Sequence, residues 1–231
     1  MGAERHTMVM DPEELRVTAY HEAGHCIVGQ MIPKHDPTYK VSIMPRGRAL
    51  GITMFLPEKD EYSASKRKLD GKISSLYGGR IAEYIIGGEE EVTTGASNDI
   101  ERATELARNM VTKWGLSKIL GPLKYAEEEG KMFPSKMSPE TEAKIEAEIR
   151  AVIDRNYERA ETILKENIDI LHSMAAALMK YETIDKGQID DLMNRRPVRI
   201  PEGWDENNSR SSLAKKQVIL EKGNSESIQG S

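Results

Sequence analysis

The feature that most constrains this chain is His21-Glu22-Ala23-Gly24-His25: two histidines four residues apart, with a glutamate directly after the first. The pattern has chemical meaning on a helix. There, residues four apart lie one above the other on one face, so both imidazoles can reach one metal ion, and neutral imidazole is a good zinc ligand. Glu22 lies about 100° round the helix from His21 and about 60° from His25, by the helical period. It can share the cavity without ligating, which suits a general base that takes a proton from water activated by the metal.

The alternative is a surface helix with two solvated histidines. The flanking residues argue for the first reading. Asp11 is a good N-cap, Pro12 suits the first helical position, and Glu13 and Glu14 favour the positive helix end. Ala19, Ala23, Cys26 and Ile27 give the helix a small apolar back that can pack into a core. Pro33 stops it.

Composition enters as a set of exclusions. The chain has 231 residues, with 31% charged and only 5% aromatic, which fits a helix-rich domain with a modest aliphatic core. A net charge of −5 gives no reason to expect nucleic acid. The single cysteine, Cys26, rules out an intrachain disulfide and a cysteine-rich zinc site, and its place behind the histidine face makes it a core residue. No apolar run approaches the roughly 20 residues that span a bilayer, and no signal peptide precedes Asp11, so this piece is expected to be soluble. A G-x-x-x-x-G-K-[ST] loop is missing, so ATP hydrolysis is not expected of this chain.

The expected architecture is mainly α, with a small β-hairpin and a C-terminal antiparallel helix pair. Residues 1–10 read as a linker. Val41–Met44 and Leu50–Leu56 read as strands about a turn at Pro45-Arg46-Gly47-Arg48. Such a hairpin is either structural or presents an edge to an extended peptide. A helical pattern runs from about Ser63 to Ile86, with Leu69, Ile73, Leu76, Ile81 and Ile85 as its stripe. Two interior glycines, Gly78 and Gly79, cost about 1 kcal/mol each relative to alanine, so close approach to another backbone is expected; the histidine helix is the plausible neighbour.

A third helix is expected from about Asn98 to Trp114, with a capping box at Asn98 and Glu101 and an apolar side from Ile100 to Trp114. Leu116–Pro134 is irregular and carries the acidic run Glu127–Glu129, read as a solvated loop. Helices are expected again from Ser138, from about Asn167 to Lys180, and over Lys186–Met193, making 138–195 a helical C-terminal part. The stretch from 205 to 231 is polar and reads as a disordered tail, which leaves 11–204 as the domain.

A catalytic zinc wants a third protein ligand and an open position. Val28 and Met31 stand where a third histidine motif would need glycine and histidine, so that pattern fails. His6 precedes any predicted element, His35 reads as a turn residue, and His172 as a helix-face residue. A carboxylate is the better candidate. Glu83 lies on the glycine-containing helix. Asp99 begins a helix, where the helix-end field favours its ionised form. The residues favour Asp99 but leave both open.

At this point the sequence resembles a family. Thr18–His25 (TAYHEAGH), Pro45–Gly51 (PRGRALG), Leu76–Glu83 (LYGGRIAE), Thr94–Ile100 (TGASNDI), Ala107–Val111 (ARNMV), Trp114-Gly115 and Tyr181–Asp185 (YETID) are similar to the protease domain of the FtsH family. These are membrane-anchored, ATP-dependent zinc metalloproteases of the AAA class. The resemblance runs from about residue 5 to Trp204. It implies His21, His25 and Asp99 as zinc ligands, Glu22 as catalytic base, and Glu83 as a support for a ligand imidazole. It also implies a homo-hexameric protease ring beneath an ATPase ring that unfolds polypeptides and feeds them in. ATP would then act only through an ATPase domain that this chain lacks. The full-length protein would sit in the bacterial inner membrane with this domain on the cytoplasmic side. The stretch Gly51, Ile52, Thr53 and Met54 is a candidate for binding substrate backbone. Two rivals stand beside this reading: a non-catalytic ring or adaptor domain with a vestigial site, and an ATP-independent hydrolase of small peptides.

Overall fold

The computed structural model describes residues 11–45, 50–57, 62–125, 137–201 and 203–204. Asp11 caps the first helix: its carboxylate accepts the Glu13 backbone N–H at 2.8 Å, and α1 runs Pro12–Met31. A hairpin follows, β1 (Thr38–Ser42) and β2 (Ile52–Phe55), and then α2 (Lys66–Gly87). After α2 the chain makes two short 3-10 turns and enters α3 (Ser97–Thr112). The last elements are α4 (Pro139–Glu166), α5 (Ile168–Tyr181), β3 (Thr183–Asp185) and α6 (Lys186–Met193). The fold is mainly α with one small antiparallel sheet of order β2-β1-β3.

α1 is the central element. From Thr18 to Gly29 every residue except Tyr20 is buried, with α2 against one side and α5, α4 and the hairpin on the others. Ala19, Ala23, Cys26 and Ile27 are fully enclosed, as the sequence predicts. Cys26 is a core residue whose thiol donates weakly to the Thr38 hydroxyl; burial pushes its pKa up to about 12.

The paired glycines of α2 explain how α1 and α2 come so close. A Cβ on Gly78 would stand 2.5 Å from the Gly24 carbonyl oxygen, and a Cβ on Gly24 would collide with the Gly78 carbonyl. The two backbones therefore touch where neither carries a side chain, as expected of glycines kept inside a helix.

Several boundaries differ from expectation. α2 starts at Lys66, because Ser65 is the cap: its hydroxyl accepts the Lys68 N–H at 3.3 Å. α3 starts at Ser97, not Asn98, and ends at Thr112. The 3-10 turn Thr94–Ala96 winds straight into it, so Asn98 falls inside the helix and the predicted capping box does not form. Ala103, Ala107, Met110 and Val111 face the core, whereas Ile100 and Trp114 are exposed.

The first strand begins three residues before Val41 and ends at Ser42, two before Met44, and the second is trimmed at both ends. β3 is an addition; it pairs antiparallel with β1, Val41 opposite Ile184. Asp185 ends it and caps α6 in a capping box with Gln188. The helix pair α4–α5 is joined through Asn167; α4 packs chiefly on α2 and α3, and α5 on α1. Residues 1–10, the turn at 46–49, the acidic run at 127–129 and the tail 205–231 lie outside the described residues.

Candidate metal centre

The centre forms where α1, α2 and the start of α3 meet. Both histidines are buried, and their rings stand edge to face with centroids 4.7 Å apart. Each ring is held from behind. His25 Nδ1 donates to the Ser75 carbonyl oxygen of α2 at 2.7 Å, and a carbonyl can only accept. His21 Nδ1 donates to Glu83 Oε1 at 2.6 Å. Glu83 is itself held, its Oε2 accepting the Thr93 N–H at 2.7 Å. Although burial opposes it, these bonds to His21 and Thr93 keep the Glu83 carboxyl below its ordinary pKa, ionised and accepting.

With both Nδ1 atoms committed as donors, the neutral rings present Nε2 as bare lone pairs. The two Nε2 atoms are 3.0 Å apart. Asp99 Oδ2 lies 3.5 Å from His21 Nε2 and 3.2 Å from His25 Nε2. One ligand atom from each of the three residues falls within 4.8 Å of the other two. Three electron-pair donors converging in a buried place need a cation between them, either a proton or a metal ion. Without a metal the proton serves: burial opposes it, but hydrogen bonds to Asp99 and Glu83 raise the His21 pKa to about 10. The Asp99 carboxyl is held far below its usual range by the two imidazoles, against the effect of burial. Two imidazoles and one carboxylate are a donor set that suits zinc, leaving a fourth position for water.

Glu22 is buried beside them and is not one of the three converging donors. Its Oε2 accepts the Thr53 hydroxyl of β2 at 2.6 Å. Burial raises its pKa above the ordinary glutamate value, with the two imidazoles opposing. A cleft of about 1070 Å³ opens over the centre, walled by Leu50–Leu56 on one side and by Asn98, Arg102 and Leu106 of α3 on the other. Gly51, Ile52, Thr53 and Met54 therefore line the same cleft as His21, Glu22, His25, Glu83 and Asp99. β2 pairs only with β1, so one of its edges is unpaired among the described residues.

A sequence profile decides the family. That of peptidase family M41 matches residues 8–192. The chain belongs to family M41. Within it, the chain is 59% identical over 212 residues to the ATP-dependent zinc metalloprotease FtsH of Photobacterium profundum, covering 88% of this chain and 30% of that protein. The protein of the same name from Haemophilus influenzae is 56% identical over 213 residues, with 89% and 34% covered. That from Caulobacter vibrioides is 43% identical over 209 residues, with 87% and 33% covered. The chain thus spans about a third of the length of the curated relatives it matches. No described helix is long and apolar enough to cross a membrane.

His35 and His172 stand as the turn and helix-face residues the sequence favours. His35 bonds the Asp36 carbonyl and packs edge-on against Phe55, while His172 meets the Tyr20 hydroxyl at 2.9 Å. His6 lies outside the described residues. Sequence reasoning missed Ser75, Thr93 and the Thr53–Glu22 contact. Ser75 and Thr93 act at the site through backbone groups, which any residue type supplies, so they leave no signal.

Proposed function

We propose that this chain is the zinc-dependent endopeptidase domain of an ATP-dependent protease. It hydrolyses peptide bonds of unfolded polypeptides delivered by an ATPase ring, in quality control and regulated turnover of membrane and soluble proteins. The observation that carries this reading is the convergence of two imidazole lone pairs and one carboxylate oxygen beside a buried glutamate.

His21, His25 and Asp99 hold the zinc ion. When bound, zinc supplies a Lewis acid that acidifies water and polarises a carbonyl. Glu22 takes a proton from the attacking water and delivers it to the leaving amine; its raised pKa brings it nearer the working range of a base. Glu83 and the Ser75 carbonyl fix the tautomer and direction of the two rings. The unpaired edge of β2, over Gly51–Met54, receives the substrate as an added strand and lays it across the centre.

Residues 11–204 form the protease domain, 1–10 a linker from the ATPase domain and 205–231 a tail. The working assembly is a homo-hexamer in the bacterial inner membrane, with this domain on the cytoplasmic side. The test is Glu22→Gln, with zinc per chain and casein cleavage measured together. Zinc retained with cleavage abolished is the expected result. Loss of zinc together with cleavage contradicts the role of Glu22.

A further inference from the structure

The two oxygens of the Glu22 carboxylate have different surroundings. Oε2 accepts the Thr53 hydroxyl at 2.6 Å, and the same hydroxyl lies 3.1 Å from the Glu22 backbone carbonyl. Oε1 has no hydrogen bond among the described residues. It looks past Gly51, where a Cβ would stand 2.7 Å from Oε1 and 2.7 Å from Cγ. Gly51 has no positive φ, so the glutamate, not the backbone, is what excludes a side chain there. The strand that supplies both residues is β2 with its entry residue, 31 positions from Glu22 in sequence for Thr53.

We infer that Thr53 and Gly51 are positioning residues for Glu22: the hydroxyl pins Oε2, and the bare glycine keeps Oε1 open as the oxygen that faces water in the cleft. The inference rests on Glu22 as the base. It gives β2 a second task beside its proposed one of receiving substrate backbone. A buried carboxylate with one pinned oxygen has one rotamer to offer, and orientation of this kind is worth much in rate. The hydroxyl stays satisfied throughout the cycle. It donates to Oε2 while Glu22 is charged and still does so once Oε1 carries the proton, because Oε2 then remains a carbonyl oxygen that accepts. No heavy atom has to move.

The test is steady-state cleavage of an unstructured fluorogenic peptide by the zinc-loaded chain, with zinc per chain measured for every variant. Thr53→Val keeps the shape and removes the hydroxyl. It is expected to lower kcat about 10- to 100-fold with KM and zinc content near the parent's. Thr53→Ser is expected to restore most of kcat. Parent-like kcat in Thr53→Val, or a raised KM with kcat unchanged, overturns the inference, the second by assigning Thr53 to substrate binding alone. Should Thr53→Val not fold, Gly51→Ala decides. It keeps the hydroxyl and places a methyl over Oε1, so lost kcat with zinc retained supports the inference and parent kcat overturns it. A parent chain that holds zinc and does not cleave would instead count against the proposed function, which keeps the two failures apart.

Discussion

The α1–α2 crossing and the α4–α5 half of the molecule solve burial in opposite ways. Around α4 and α5 the buried positions are Ile145, Ile149, Val152, Leu164, Leu171, Met174 and Leu178, and stability comes from aliphatic packing. A rare polar residue there, Asn156, is satisfied by Ser74, Asp70 and the Val152 carbonyl. Along α1 and α2 the buried positions add glycines, alanines and ionisable groups to aliphatic residues such as Ile27, Val28, Ile73 and Ile81. Glycine removes side chains so that backbones touch, and the space beside that contact is given to His21, His25, Glu22 and Glu83. The lesson is that the site is expensive to bury and is carried by the rest of the fold. Its charges are matched one by one, and the aliphatic half supplies the net stability.

Substitutions can break that comparison. Leu171→Ala, in the aliphatic half, is expected to cost about 2–5 kcal/mol of stability and leave zinc per folded chain unchanged. Gly78→Ala, at the crossing, places a methyl 2.5 Å from the Gly24 carbonyl and 3.0 Å from the His25 nitrogen. It is expected to cost about 1–3 kcal/mol and to weaken zinc binding as well. Denaturant unfolding and zinc titration check both; equal zinc binding by the two variants would erase the distinction.

Glu83→Gln sharpens the same contrast without changing shape. The amide has one accepting oxygen where the carboxylate gives two, so it cannot serve both His21 Nδ1 and the Thr93 N–H, and zinc affinity is expected to fall about 10- to 100-fold with little change in stability. Competition with a chelator measures this.

A smaller effect is expected from pH in the zinc-free chain. The folded His21 pKa of about 10 lies above the ordinary 6.5, so its contribution is complete below pH 6.5 and is lost as pH rises through about 10. Asp99 and Glu83 are shifted the other way, and their contribution is lost as pH falls below the ordinary carboxylate range. The melting temperature of the zinc-free chain should therefore decline from about pH 6.5 towards pH 10. With zinc bound, His21 has no proton to lose and that decline should vanish.

Much of this was legible because it is local. The Asp11 cap, the paired histidines and the glycines of α2 act within one helix or between two neighbours, and each leaves a pattern in residue type. The choice of Asp99 over Glu83 needed the family resemblance, since both carboxylates reach the centre, one to each side of His21. β3 was illegible because three residues carry no periodicity, and its pairing joins Val41 to Ile184 across most of the chain. The start of α3 was misplaced because Asn98 has the residue type of a cap, whereas the 3-10 turn before it had already begun the winding. The hold of Thr53 on Glu22 crosses from strand to helix; the sequence marks Thr53 as a candidate for substrate backbone and carries no signal of this contact.

The most direct measurement of the central claim is zinc per chain in the parent and in Asp99→Ala, by elemental analysis of purified protein. The account predicts about one zinc per chain in the parent, as a three-ligand site requires, and its loss from the variant. Zinc retained at the parent's level in Asp99→Ala would contradict Asp99 as a ligand and return Glu83 to first place as the third ligand.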